Sequence, residues 1–194
     1  MKIRSYHQAR RAQSTRRTRE HLIEAAVELF SKQLFEATSL NEIAAAAGTT
    51  PQTLLRHFGS KEGLFQSALQ ASTEQVRRER EAAPVGDIPG AVANLAEHYR
   101  QWGERVLRLL AREDASAQVR RVTDTGRTLH AEWVERTFGP QLDRHRGNLR
   151  SQKLDGLIAL TDVYVWKVLC LDRKRTTGEY ASLLEGLIRA VVEG

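Results

Sequence analysis

Between Ser39 and Lys61 the chain gathers side chains suited to binding something outside its own fold: Ser39, Thr49, Thr50, Gln52, Thr53, Arg56, His57 and Lys61. Gln52 and Arg56 are one helical turn apart, so a helix presents both on one face. An amide and a guanidinium in that relation form paired hydrogen bonds to the edges of DNA bases: glutamine to adenine, arginine to guanine, or arginine to a phosphate. More positive charge lies upstream. Lys2, Arg4, Arg10, Arg11, Arg16, Arg17 and Arg19 all precede the first acidic residue, Glu20. This is chemistry for gripping a polyanion.

Bond-making chemistry has no comparable signature. The sequence holds no glycine-rich phosphate loop and no nucleophile elbow. Its six histidines are scattered, with no zinc-spaced His/Cys pair. His130 and Glu132 face apart on a helix. The reading is therefore a protein with no catalytic residues, no metal and no cofactor.

The elements that must position Gln52 and Arg56 are written locally. SLNEIAAAAGTTPQTLLRHFGSK, residues 39–61, spells a short helix, a glycine turn, a second short helix and the start of a third. Ser39 and Glu42 have capping-box spacing. Gly48 suits a left-handed helix end. Thr50 is an N-cap, with Pro51 at the first helical position where its missing N–H does no harm. Gly59 breaks the chain again, and Ser60 caps the next helix. Upstream, Leu22, Ala25, Ala26, Leu29 and Phe30 form one apolar stripe and predict a helix from about Thr15 to Ser31. Inward-facing Leu54, Leu55, Phe58, Leu64, Phe65, Ala68 and Leu69 complete a small core. Such a helix-turn-helix projects its second helix into a groove about 12 Å wide.

Residues 15–70 resemble the N-terminal domain of the tetracycline-repressor (TetR) family, on the stretches TREHLIEAAVELF, FEATSLNEIAAAAG and TLLRHFGSKEGLF. The resemblance implies a homodimer, a palindromic double-stranded DNA operator, and a C-terminal helical domain that binds a small effector. It also implies DNA contacts at Ser39, Thr49, Thr50, Gln52, Arg56, His57 and Lys61, beside Thr53 on the same helix. Three departures stand out. Leu34 replaces a usual glycine, so either that turn is shaped differently or Leu34 carries left-handed strain. Leu55 replaces a frequent tyrosine and loses a phosphate-bonding hydroxyl. Pro51 and Gln52 replace a frequent lysine and glycine. The arm residues Arg10, Arg11, Arg16 and Arg17 are expected to compensate by reaching phosphates or an adjacent minor groove.

The totals agree. Across 194 residues, 30 Lys+Arg against 24 Asp+Glu leave a formal net charge of +6. A single cysteine, Cys170 in YVWKVLCL, suits a reducing compartment and reads as a small buried hydrophobe. No apolar leader pattern or run of about 20 apolar residues appears, so a soluble cytoplasmic protein with no membrane partner is expected. Helical periodicity is widespread and strand alternation nearly absent. The predicted fold is all-α: an N-terminal three-helix helix-turn-helix domain and a C-terminal helical ligand-binding and dimerisation domain. The expected division is a basic arm over 1–14, the DNA-binding domain over 15–70 and the effector domain over 71–194.

Beyond residue 70 the pattern predicts a helix to about Glu81, a connection over 82–89, and a helix from about Pro89 to Arg112. Shorter charged helices are expected between Asp114 and Phe138, then one long helix from about Ser151 to Leu171, and a last helix capped by Thr176 and Glu179. By the family analogy Tyr99, Trp102, Trp133 and Tyr164 line an effector pocket, with His98 and His130 as polar anchors, and the effector is largely apolar. Wide apolar stripes on the last two helices place a dimer interface at Leu157, Val165, Leu183, Leu187 and Val191. Two other readings compete: a helical protein-interaction adaptor, and a repressor with no small ligand.

Overall fold

No glycine or proline occurs before Gly48, and the first helix exploits this, with α1 spanning Lys2–Lys32. A computed structural model of the chain describes the backbone of residues 2–194 and the side chains of residue 10 and residues 12–194. The helix does not begin near Thr15 as the apolar stripe implied. Its backbone is already helical through the basic segment, because alanine, arginine and glutamine favour helix and nothing there breaks it. Among the described residues there is no strand, and the architecture is all-α.

Two compact units divide the chain, Met1–Glu74 and Gln75–Gly194, and the division falls within a helix. The first unit contains α1, α2 (Leu40–Ala46), α3 (Pro51–Phe58) and the opening turns of α4 (Lys61–Glu81). Leu22, Ala26 and Phe30 supply the inner face of α1. Ile43 and Ala44 come from α2, Leu54 from α3, and Leu64, Phe65 and Ala68 from α4. Burying one such leucine is worth roughly 1.5–3 kcal/mol. Phe30, Phe35 and Phe65 close this core as a three-ring cluster, with centroids 5.3–5.4 Å apart. The turn at Leu34 contains no left-handed residue. The Leu34 carbonyl instead accepts the backbone N–H groups of Ala37 and Thr38 and the Thr38 hydroxyl. That turn is thus shaped without the conformation a glycine would serve.

In the second unit, after the last turns of α4, come α5 (Ile88–Leu110), a 3-10 turn at Glu113–Ala115, α6 (Ala117–Thr137) and α7 (Gly139–Leu142). They are followed by α8 (Gly147–Leu160), α9 (Val163–Trp166), a π-helical turn at Lys167–Asp172, and α10 (Thr177–Glu193). Helix α5 lies at the centre, packing on α6, α9 and α10, while α8 packs on α6 and α10. The core gathers Val92, Leu95, Val134, Phe138, Leu142, Leu157, Leu184 and Ile188.

Two expectations change here. The segment after Asp114 holds one 21-residue helix, α6, because Val119, Thr123, Trp133, Val134 and Thr137 give it a continuous buried face. The long helix expected from Ser151 to Leu171 is broken at Thr161 and Asp162. Tyr99 donates its hydroxyl to the Thr161 carbonyl at 2.7 Å. Asp162 accepts the Tyr164 backbone N–H at 2.8 Å and starts a new helix. The final helix starts as expected, with a reciprocal capping box between Thr176 and Glu179. No helix among the described residues is long and apolar enough to cross a membrane.

Candidate nucleic-acid interface

The second short helix is held at both ends by groups its own sequence supplies. Ser39 and Glu42 form the capping box of α2: Glu42 N–H donates to Ser39 Oγ at 3.1 Å, and Ser39 N–H to Glu42 Oε2 at 2.7 Å. That backbone N–H also holds the Glu42 carboxyl below the usual carboxylate range. Gly48, at φ +65°, ends α2 and lets Thr49 N–H reach the Ala44 carbonyl at 2.8 Å. A side chain there would be forced into the left-handed region. Thr50 caps α3 by accepting Thr53 N–H at 3.3 Å, and Pro51 occupies the first turn. Gly59, also left-handed at φ +75°, ends it.

Leu54 anchors α3 inward, fully buried. That leaves Thr50, Gln52, Leu55 and Arg56 exposed, with Thr49, Thr53 and His57 half-buried. Gln52 and Arg56 share the outer face as the spacing required, and Leu55, 41% exposed, lies beside them. Leu55 had been expected to pack inward. It turns outward because its neighbour Leu54 takes the single inward position on so short a helix. His57 has its Nε2 buried without a hydrogen-bond partner among the described residues. Burial first, then the charges of Arg56 and Arg19, lower its pKa and keep the ring neutral. Ser39 is exposed at the start of α2. Lys61, half-buried, opens α4 with its ammonium 4.3 Å above the Phe35 ring. On α1 the side chains of Arg10, Arg16 and Arg17 are exposed, whereas that of Arg11 lies outside the described residues. Arg19 stacks over Phe58 at 5.2 Å. The first unit therefore presents a rigid polar helix with cations around it.

In the second unit the expected pocket residues separate. Tyr99, Trp102 and Trp133 are buried, but Tyr164 is 52% exposed. It lies on the outer side of α9, whose inward positions are held by Val163 and Trp166. Tyr99 is bonded to Thr161, and Trp102 Nε1 donates to Glu79 Oε2 at 2.8 Å. His130 donates from Nε2 to the Ile158 carbonyl at 3.3 Å, a tautomer set by a partner that only accepts. His98 lies 3.8 Å from Glu79. Burial lowers His98 to about 2 and His130 to about 4, so both are neutral.

Sequence reasoning missed Arg80. It sits in the run RRERE at the end of α4, where charges normally face water, yet it is 6% exposed. Its guanidinium lies 4.6 Å above Trp133 and 5.6 Å above Tyr99. A desolvated cation–π contact contributes about 2 kcal/mol, less than the several kcal/mol that burying an ion costs. Of the expected interface residues, Leu157 is wholly inside its own unit's core. It packs there because α8 lies against α6 and α10. Leu183 and Leu187 are 46% and 38% exposed, and Val165 and Val191 are half-buried.

Comparison with known proteins places residues 22–68 within the description "Bacterial regulatory proteins, tetR family". Over 79 residues the chain is 39% identical to the HTH-type transcriptional regulator TcmR of Streptomyces glaucescens, covering 41% of this chain and 35% of TcmR. The chain thus spans about a third of the length of that curated relative. Among solved structures, Salmonella enterica GusR superposes with a TM-score of 0.65 at 19% identity, over 91% of this chain and 96% of its own. AibR, solved with isovaleryl coenzyme A and operator DNA, gives 0.62 at 18% identity, over 88% and 97%. These two likenesses concern the fold of the whole chain, whereas sequence identity concentrates on the helix-turn-helix. On that segment, residues 22–68 with the capped α2 and α3, the chain matches the tetR family of bacterial regulatory proteins.

Proposed function

We propose that the protein is a homodimeric transcriptional repressor that reads a palindromic operator through α3 and releases it when a small effector binds the second unit. The observation that carries this reading is the outer face of α3. Gln52, Leu55 and Arg56 are exposed on a helix whose ends are fixed by Thr50 and Gly59. Gln52 reads adenine, Arg56 reads guanine or holds a phosphate, and Leu55 offers an apolar surface to a thymine methyl. Ser39, Thr49, Thr53, His57, Lys61 and the arginines of α1 supply backbone contacts that set register.

Dimerisation uses α9, the π-helical turn and α10. Tyr164 and Val168, one turn apart, are 52% and 47% exposed, and Leu183 and Leu187 repeat that spacing on α10. Exposed large apolar side chains in such rows mark a surface that another chain covers. A two-fold axis then sets two copies of α3 about one DNA turn apart, roughly 34–36 Å. AibR, similar in fold, has been solved with isovaleryl coenzyme A and operator DNA, so this fold accommodates both kinds of ligand. Effector and operator must oppose each other reciprocally.

Selection of bound duplexes from a random pool tests the reading. The expected product is an inverted repeat whose affinity falls linearly in log salt, steeply if 6–10 phosphates are neutralised. Absence of duplex affinity at low salt would leave a protein-interaction adaptor.

A further inference from the structure

One side of the second unit carries more positive charge than its own carboxylates neutralise. A shallow open recess there is lined by Arg77, Arg80, Glu81, Leu129, Glu132, Trp133 and Arg136. Arg77 pairs with Glu132 at 3.5 Å. Arg136 turns to the carbonyls of Arg80 and Ala83, at 2.8 and 3.2 Å. Among the described residues Arg80 has no carboxylate partner, and its Nη1 is buried without an acceptor. The neighbouring carboxylate, Glu79, is already engaged by Trp102 and Gln75.

Other buried polar atoms in this unit also lack a partner among the described residues: Trp133 Nε1, the Tyr180 hydroxyl, and the Nδ1 atoms of His98 and His130. A buried guanidinium is normally neutralised by a carboxylate or a phosphate. Here the chain supplies the faces of Tyr99 and Trp133 and a hydrogen bond to the Tyr99 side chain in place of an anion.

We propose that the effector carries a carboxylate, that Arg80 is the residue that binds it, and that the effector's apolar body lies against Trp133 and Leu129. This deepens the effector reading above and rests on it for any effect on DNA. The recess has room for a headgroup and a short body, so a small organic acid fits better than a long acyl chain. Guanidinium-to-carboxylate geometry is bidentate, which favours a planar carboxylate.

Benzoate, its neutral isostere benzamide, and inorganic phosphate are the probes, read by thermal shift and by tryptophan fluorescence on the full chain without DNA. Benzoate should raise the melting temperature saturably, and benzamide should not. Arg80→Met should lose about tenfold or more in benzoate affinity while keeping its far-UV circular dichroism. Equal responses to benzoate and benzamide, no response to either, or a benzoate response that survives in Arg80→Met would overturn the proposal. A response to phosphate alone would also overturn it, in favour of a phosphorylated ligand. Should Arg80→Met not fold, the benzoate and benzamide comparison on the unaltered chain decides. Operator binding is measured separately. A chain that binds its duplex but not benzoate refutes this inference alone, and one that binds benzoate but no duplex refutes the repressor reading alone.

Discussion

The ammonium of Lys61 stands 4.3 Å above the ring of Phe35, and that ring packs edge-on against Phe65 at 5.3 Å. A cation at a helix N-terminus opposes the helix dipole, and the ring face offsets that cost. The same stacking holds the charge at the start of α4, where a phosphate would meet it.

Separating the two roles of this pair is straightforward. Lys61→Met should leave the urea midpoint nearly unchanged but reduce the salt slope of duplex binding by about one. Phe35→Ala should cost about 3–5 kcal/mol of stability by opening the three-ring cluster. An unaltered salt slope in Lys61→Met would remove Lys61 from the DNA contacts.

Arg56→Ala should weaken operator binding by about 1–3 kcal/mol and relax preference at one base pair, if the contact is bidentate. Competition binding against single-base operator variants reads this directly. Equal loss across all variants would make Arg56 a phosphate contact instead.

Thr50 caps α3 through the Thr53 N–H. Thr50→Ala should cost about 1 kcal/mol of stability, and Thr50→Ser should restore most of it. Chemical denaturation of both variants checks the order.

Acid should destabilise the second unit before its carboxylates titrate. His98 and His130 have folded pKa values lowered to about 2 and about 4 from 6.5. The unfolded chain therefore takes up protons that the native fold refuses. Their contribution is complete above about pH 6.5. It declines as pH falls through that value, levelling near pH 4 for His130 and near pH 2 for His98. The urea midpoint should fall between pH 7 and 5, and less steeply in His130→Gln. A midpoint constant across that range would mean that neither ring stays neutral.

Leu187→Glu should split the proposed dimer, since a charge would replace an exposed apolar side chain on α10. Sedimentation should then report a monomer, with palindrome affinity lost and half-site affinity kept. A dimer that survives would put the interface elsewhere.

The helix-turn-helix was legible in the sequence because its determinants are local. Ser39 with Glu42, Thr50 with Thr53, Gly48 and Gly59 each satisfy backbone groups within a few residues, so spacing alone specifies them. Outward Gln52 and Arg56 follow from helical period once Leu54 is taken as the inward residue. Tertiary structure decided what depends on distant partners. Tyr99 takes the Thr161 carbonyl, 62 positions away, and with Asp162 interrupts a helix whose periodicity reads as continuous. Leu157 and Leu187 look alike in the sequence, yet one is sealed in the core and the other is exposed. Arg80 lies in a charged run and is nevertheless buried, because Trp133 on α6 and Tyr99 on α5 close over it. Capping and turn chemistry are settled between neighbours in the chain, whereas burial is settled by which helix comes to lie opposite.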